Sequence, residues 1–458
     1  MSKRKKQHKP ALNDDVLAQI QPNASGIDVG AEEMYVCVPP GRDEERIRVF
    51  PTFTVDLHRL AEWLVDCGVE TVAMESTGIF WIPLFDILEE RGIEVYLVNA
   101  RHLKNVTGRN TDVSDCEWLY QLHTYGLLRG SFHPPDEIRA LRALARHRKM
   151  LVEYRAAHIQ HMQKAMELMN IKLTYVLSDI TGVTGMAIIH SILDGERNPI
   201  VLAQFRDPKC KHSEEEIAKA LEGNYRREHL FALQQAVELY DTYGQQIGAV
   251  DAELEALYAA LERPEDEGDP GTTPPKPQRQ KRRKNQANFD LTTSLYQMAG
   301  VDLTQIDGIH ALTAQTLLTE VGLDMSKWPT VKHFASWLGL SPNNQVTGGK
   351  VKRRRTRKTD NRAATALRVS AQSLARSQSA LGGFYRRIKA RHGAPKAIVA
   401  TAHKLARIIY HMLKHRVDYM DLGADHYNEL QRQRAIKRLQ RQAAKLGLRI
   451  DGLATTTP

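Results

Sequence analysis

The sequence predicts an α/β domain at the N-terminus, followed by a long helical middle region and a mostly α-helical C-terminal domain. Short β-rich runs alternate with amphipathic helical patterns over residues 23–135. Apolar residues recur at spacings of three and four over residues 138–169 and 230–261, and helical patterns dominate beyond residue 291. Alternation of strands and helices is typical of α/β architecture, and the three-four spacing is typical of long helices.

The first domain begins with two strands on either side of Gly30, and a third strand follows at RIRVF (46–50). The pattern then predicts a helix over 55–67, a strand at ETVAME (70–75), a helix over 80–91 and a strand at EVYLV (94–98). A further helix opens at NTDVSD (110–115), where Asn or Thr can cap it. Three strands followed by alternating helices and strands is the order of a ribonuclease H-like or RuvC-like fold.

Four carboxylates stand at the ends of these elements. Asp28 lies in the first strand, Glu75 ends a later strand, and Asp112 and Asp115 lie three residues apart at a helix start, on one side of that helix. Four hard oxygen ligands suit Mg²⁺ and could hold two ions roughly 3.5–4 Å apart. The sequence therefore predicts a metal-dependent nuclease site.

Simpler interpretations exist for each carboxylate taken alone. Asp28 fits turn chemistry, Glu75 fits a surface charge at a strand end, and Asp112 and Asp115 fit compensation of the helix dipole. The four residues in this order favour the metal site over these separate explanations.

The middle region predicts one long helix over 138–169 and a heptad pattern from Leu230 to Leu261, interrupted at Gly244 and Asp251. Such a repeat predicts a coiled coil, formed either with the earlier helix of the same chain or between two chains. Residues 263–290 are Pro-rich and charged, which predicts a disordered linker. Residues 1–22 are expected to form a basic tail, and residues 423–458 a basic C-terminal helix.

The C-terminal domain, residues 291–422, contains a helix-hairpin-helix-like turn at IDGIH (306–310) and the loop VTGGKVKRRRTRK (346–358). In this loop Thr347 precedes two glycines and a dense cluster of cations. Glycines let a phosphate approach the backbone, and cations stabilise the charge that develops in phosphoryl transfer. Thr347 is therefore a candidate nucleophile, Ser341 is a weaker one, and a flexible loop that grips phosphates is the simpler alternative. The candidate nucleic-acid contacts are Lys350, Lys352, Arg353, Arg354, Arg355, Arg357 and Lys358.

Composition narrows the class of protein. The formal net charge is +10, which favours a polyanionic partner. The four cysteines are widely separated and contain no C-x-x-C pair, which excludes a thiolate zinc site and suits a reducing cytoplasm. No apolar run approaches the length of a membrane span, and no apolar segment follows the basic residues 1–10 as it would in a signal peptide. We therefore expect no membrane partner.

The segments GID (26–28), MESTG (74–78) and TDVSD (111–115) together resemble the DEDD transposases of bacterial insertion sequences, the group related to the pilin-inversion recombinase Piv. Studied members of that group are guided by a bridge RNA. The resemblance implies composite active sites in which the carboxylates and the hydroxyl loop come from different subunits of a dimer or tetramer. It implies donor and target DNA and a bridge RNA as partners, and a covalent protein–DNA intermediate. The family places a serine where this chain has Thr347, whose extra methyl restricts its rotamers.

Three other functions remain open from the residues alone. A hydrolytic junction-resolving nuclease would use the four carboxylates and a water molecule. A non-catalytic nucleic-acid scaffold would explain the charge but not the ordered carboxylates. A sugar-kinase-like ATPase would share the GIDVG strand (26–30) but requires a second phosphate-binding strand, which the sequence lacks.

Overall fold

The N-terminal residues form a five-stranded mixed sheet with the strand order β3-β2-β1-β4-β5. Its first three strands are antiparallel neighbours, whereas β4 and β5 run parallel to β1. The strands are β1 (Ala24–Val29), β2 (Glu33–Cys37), β3 (Ile47–Pro51), β4 (Thr71–Glu75) and β5 (Glu94–Val98). The mixed sheet confirms the predicted α/β class of this region.

The computed structural model describes residues 18–76, 78–99, 112–128, 130–261, 284–357 and 359–448. Within helix and strand segments, the side chains of residues 112–114, 345–346 and 353–354 are also outside this description. The chain divides into two compact units, residues 1–133 and 134–458. Within the described ranges, no helix has the length and apolar composition that crossing a membrane requires.

Among the described residues of the first unit, three helices accompany the sheet: α1 (Thr54–Asp66), α2 (Ile82–Glu90) and α3 (Asp112–Thr124). One face of the sheet packs on α1 and α2 through a core that contains Ile27, Leu60, Met74 and Leu88. The other face packs on α3, where Ala73 of β4 contacts the cluster of Leu119 and Leu122. The sheet is therefore covered on both faces, as expected where parallel strands are joined by helices.

A pair of long antiparallel helices, α4 (Asp136–Leu168) and α9 (Arg227–Ala260), begins the second unit. Four short helices lie between them in sequence and share their core, and the sequence analysis did not predict them: α5 (Leu173–Val176), α6 (Val183–Leu193), α7 (Pro199–Ala203) and α8 (Glu214–Ala220).

The predicted heptad residues of α9 are covered by the chain itself. Leu233 and Val237 pack in one core with Met162 and Met166 of α4, and Leu254 is fully buried. Of the two alternatives that the sequence left open, the pairing of α4 and α9 within one chain accounts for these described positions. A coiled coil between two chains is not needed to bury them.

The C-terminal residues form seven described α-helices and one β-hairpin. The helices are α10 (Leu291–Ala299), α11 (Ala311–Val321), α12 (Val331–Trp337), α13 (Arg362–Ser373), α14 (Ala380–His392), α15 (Ala394–His415) and α16 (Gly423–Lys445). Short 3₁₀ turns occur at Leu303–Gln305 and Leu374–Arg376. The hairpin pairs β6 (Pro342–Thr347) with β7 (Lys350–Thr356), where the sequence analysis had predicted a loop. The mostly helical prediction for this region is otherwise confirmed.

Candidate active site

Asp28 and Glu75 lie side by side at one edge of the sheet. Strand β1 pairs with β4 in parallel, and Ile27 is opposite Met74 in this register. The next residues along the two strands are Asp28 and Glu75, so the two carboxylates occupy equivalent positions on neighbouring strands that lie about 4.8 Å apart. Both are half-buried, and both stand at the carboxyl ends of their strands.

The face that carries these two carboxylates is the face covered by α3. Side chains alternate along a strand, so Asp28 shares a face with Gly26, and Glu75 shares a face with Ala73. A Cβ atom built on Gly26 would stand 2.3 Å from both the backbone oxygen of Cys116 and the backbone nitrogen of Tyr120. Only glycine permits α3 to approach β1 this closely. The sequence analysis did not predict this role of Gly26. The signal that could have indicated it is a glycine inside an apolar strand.

Two contacts fix the direction in which α3 crosses the sheet. Near its carboxyl end, His123 is within hydrogen-bond distance of Thr71, at the amino end of β4, with 2.9 Å between Nε2 and Oγ1. Near its amino end, Cys116 lies against Gly26. The helix therefore runs antiparallel to β1 and β4, and its first turn points toward the edge that holds Asp28 and Glu75.

Electrostatics agree with this placement. The pKa of the Cys116 thiol is raised to about 12, mainly by burial and to a smaller extent by the charges of Cys37, Glu117 and Asp28. The charge of Asp28 thus acts on the residue that follows Asp115 in α3. A thiol with so high a pKa is protonated near neutral pH, which makes Cys116 an inert packing residue.

Asp115 is half-buried and precedes Leu119, which packs on the sheet, by one helical turn. Asp112 is the first residue of α3, and its side chain is outside the described residues. The structure thus brings Asp28, Glu75 and Asp115 to one face and one edge of the sheet. It brings the backbone of Asp112 there as well.

The donor set consists of carboxylate oxygens, which are the ligands that Mg²⁺ prefers. Among the side chains that the structure describes, no three groups are placed closely enough to hold a metal ion together. The side chain of Asp112, the fourth carboxylate, is outside the described residues. By chemical type the four carboxylates suit a divalent ion, whereas the described side chains of Asp28, Glu75 and Asp115 do not form a ligand set by themselves.

Thr347 lies at the tip of the β6–β7 hairpin. It pairs with Lys350 across the turn formed by Gly348 and Gly349, whose φ angles are 56° and 74°. Two consecutive positive φ angles define a two-residue hairpin turn, which the right-handed twist of the strands favours. A Cβ atom on either glycine would meet nothing within 4 Å. Glycine is therefore favoured here by the positive φ angles and not by a lack of space for a side chain. The segment that the sequence analysis predicts as a loop is therefore a β-hairpin, and the glycine pair closes its turn.

The hairpin displays cations beside this hydroxyl. Lys350, Lys352 and Arg355 are exposed, and Arg357 is exposed while its Nη2 donates to the backbone oxygen of Trp337 at 3.1 Å. The side chains of Arg353 and Arg354, and the whole of Lys358, are outside the described residues. Ser341, the weaker nucleophile candidate, is half-buried and precedes β6, at the end of the hairpin that is opposite the turn.

Two family comparisons match the chain. A model of DEDD transposases of the IS110 type matches residues 25–171, which include the four carboxylates. A model described as "Transposase IS116/IS110/IS902 family" matches residues 279–386, which include the hairpin. No curated protein compared with the chain matches it. The two family matches together cover more than half of the sequence. The chain therefore belongs to the IS110 family of transposases, enzymes that cleave and rejoin DNA.

Proposed function

We propose that this transposase cuts DNA with two sets of groups: the carboxylates Asp28, Glu75, Asp112 and Asp115, and the hydroxyl of Thr347. The observation that carries the proposal is the parallel register that sets Asp28 beside Glu75, with the first turn of α3 pointing at the same edge. A RuvC-like fold is part of this proposal, and the mixed sheet with β1 at its centre supports it.

In the proposed reaction, Thr347 Oγ1 loses its proton and bonds to the phosphorus of a DNA phosphodiester. The bond from phosphorus to the 3′ oxygen breaks, and the released 3′ oxygen takes up a proton. The 3′ hydroxyl of a partner strand then attacks the phosphothreonine linkage, which restores Thr347 and joins the new strands. The exposed cations of the hairpin neutralise the phosphate charge beside Thr347.

The four carboxylates would hold Mg²⁺, which would supply charge neutralisation at the phosphate. Asp28 and Glu75 hold their positions through the strand register, and Asp112 and Asp115 through the first turn of α3. The strands and the helix thus fix the positions of the carboxylate oxygens, and a near-attack geometry tolerates little displacement of the groups that set it.

The proposal includes a bridge RNA that selects donor and target DNA, and a homo-oligomer with composite sites. The resemblance to the bridge-RNA-guided group supports the first. The same resemblance supports the second, and the carboxylates and Thr347 belong to different compact units of the chain, residues 1–133 and 134–458.

The carboxylate assignment is tested with Glu75→Gln and a matched control, Glu33→Gln. Glu33 is exposed at the start of β2, at the same edge of the sheet. The substrate is a plasmid that carries the ends of the insertion sequence, with Mg²⁺ and RNA transcribed from the flanking DNA. We expect Glu75→Gln to lose about a hundredfold or more in cleavage rate while Glu33→Gln cuts normally. Asp112→Asn is expected to match Glu75→Gln. Cleavage at the wild-type rate by both site variants would exclude the assignment.

The nucleophile assignment is tested by trapping protein that is covalently attached to labelled DNA, followed by mass spectrometry of the attached residue. Thr347→Ser should retain the adduct, and Thr347→Val should lose it. Thr356→Val removes a hydroxyl from the other end of the same hairpin and should leave the adduct unchanged. An adduct at Ser341 would transfer the role to that residue. Cleavage by Thr347→Val without any adduct would favour a hydrolytic nuclease.

A further inference from the structure

Two exposed apolar side chains follow the proposed catalytic carboxylate Glu75. Ile79 is 70% exposed and Phe80 is 47% exposed, directly before α2. Large apolar residues at the mouth of a site that acts on a polyanion are not explained by phosphate binding. They are explained by contact with an apolar part of the ligand, and in DNA that part is the face of a base.

The chain around these residues is anchored on both sides. Ser76 donates its backbone N–H to the oxygen of Val98 at 2.9 Å, and its hydroxyl donates to the same oxygen at 3.2 Å. After the turn, Trp81 Nε1 donates to the oxygen of Gly78 at 3.3 Å. The Trp81 ring is itself packed edge-on against Phe85, with 5.7 Å between centroids. Ile79 and Phe80 are therefore presented from a backbone that is fixed at both ends.

The Phe80 ring has one supported side. Gly78 has a φ of 60°, and a Cβ atom built on it would stand 3.5 Å from Cδ2 and Cε2 of Phe80. The ring thus lies beside Gly78, where an added methyl group would be in van der Waals contact with it, while about half of the residue is accessible to solvent. An aromatic ring that is supported from one side and open on the other is the arrangement on which nucleic-acid bases stack.

We propose that Phe80, with Ile79 beside it, stacks on an unpaired DNA base next to the phosphate held by the carboxylates. The inference rests on the proposed carboxylate site, because it takes the position of the base from the position of Glu75. Strand exchange requires bases beside the cut to leave their original partners. A stacking surface at this point replaces part of the base stacking that is then lost.

Binding to two DNA molecules of the same sequence tests the proposal, in EDTA so that cleavage does not intervene. One is a fully paired duplex, and the other carries a short unpaired thymidine flap. We expect Phe80→Ala and Ile79→Ala to weaken binding of the flap DNA, Phe80→Ala by roughly tenfold, and to leave binding of the paired duplex unchanged. Phe80→Tyr should bind both as the wild type does.

The matched control is Val65→Ala. Val65 is 49% exposed and lies near the end of α1, at the opposite edge of the sheet, so neither DNA should be affected. Equal weakening of both DNAs by Phe80→Ala, or weakening of neither, would overturn the proposal. An effect that occurs with an RNA flap but not with the DNA flap would overturn it as well. The measurement needs no catalysis, so failure of the carboxylate assignment would show in the Glu75→Gln cleavage assay and not here.

Discussion

Arg148 and Asp251 form an ion pair in the interior of the second unit, with Nε 2.5 Å from Oδ1 and Nη2 3.1 Å from Oδ2. Both side chains are almost completely buried. The pair joins α4 to α9, which explains why an aspartate interrupts the apolar heptad of α9. A planar guanidinium matches a carboxylate with two hydrogen bonds, and this satisfies much of the polar capacity of both groups.

The same two residues also fix the segment that precedes α10. Arg148 donates to the backbone oxygen of Asn285 at 3.2 Å and to that of Gln286 at 3.0 Å. The backbone N–H of Asn288 donates to Asp251 Oδ2 at 3.2 Å. One buried pair therefore connects three parts of the sequence, namely Arg148 in α4, Asp251 in α9 and the segment 285–288 before α10.

We expect Arg148→Met to lower the free energy of unfolding by about 3–5 kcal/mol, because it leaves a buried carboxylate without its cation. The double variant Arg148→Met/Asp251→Leu should recover much of this loss. Urea unfolding followed by circular dichroism at 222 nm measures both. Lys149→Met is the control, since Lys149 and Glu153 form an exposed pair worth at most about 1 kcal/mol. A single variant as stable as the wild type would contradict the prediction.

Substitution of Gly26 should separate α3 from the sheet. In Gly26→Ala the new methyl group would overlap the backbone of Cys116 and Tyr120, and backbone atoms cannot rotate away as a side chain could. We expect a loss of about 1–3 kcal/mol in stability, together with loss of cleavage, because the first turn of α3 carries Asp112 and Asp115. Gly248→Ala in α9 meets only a side-chain atom at 3.6 Å and should be neutral or slightly stabilising. Thermal unfolding distinguishes the two glycines, and an unaltered melting temperature for Gly26→Ala would show that the contact is not tight.

The first unit should lose stability in mild acid through His123. Burial lowers the pKa of His123 to about 4, whereas an unfolded histidine titrates near 6.5. The unfolded state therefore binds a proton between these values and the folded state does not. The resulting stability is complete above about pH 6.5 and is lost as the pH falls toward 4, by about 3 kcal/mol in total. Urea unfolding at pH 7.5, 6 and 5 measures the trend.

His123→Gln removes the titrating group and keeps a hydrogen-bonding side chain opposite Thr71, so its stability should depend less steeply on pH. His58→Gln, on α1, should retain the wild-type dependence. If the slope of stability against pH is the same in the wild type and in His123→Gln, the dependence arises elsewhere.

A substitution in the heptad of α9 tests whether its apolar residues are buried within one chain or between two chains. Leu233 is fully buried within one chain, whereas Leu239 on the same helix is 45% exposed. Leu233→Asp places a charge in the core and should cost several kcal/mol in stability, whereas Leu239→Asp should cost little. Light scattering and circular dichroism together decide the outcome. Dissociation of an oligomer with its helices intact, caused by Leu233→Asp, would show that the seam joins two chains instead.

Most helices and strands of the first unit could be predicted because the spacing of their apolar residues is typical of a helix or of a strand. Strand β5 was predicted over residues 94–98, which are its bounds in the structure, and Asp28 and Glu75 were recognised from their places at strand ends. The ribonuclease H-like order of the elements also predicted that the two residues stand at the ends of neighbouring strands. The register between β1 and β4, which sets them directly side by side, could not be predicted, because no local pattern encodes it.

The hairpin escaped prediction for a different reason. Strands β6 and β7 carry polar and basic residues in place of an alternating apolar pattern, so a periodicity analysis has no signal there. Some of the basic residues near the start of α4 form contacts within the second unit. Arg146 donates to both carboxylate oxygens of Glu320, at 2.8 and 2.7 Å, so part of this charge serves contacts within the second unit.

The hydrogen bonds that Arg148 and Asp251 form with residues 285–288 indicate where the chain can be divided into two fragments. Residues before 262 and after 283 are held together by Arg148, Asp251 and the hydrogen bond from Gln315 to the hydroxyl of Tyr258. These contacts join the two sides directly. Two separately expressed fragments, divided within 262–283, are expected to assemble into one unit, which makes this transposase a candidate for a split enzyme whose activity is switched on by co-expression.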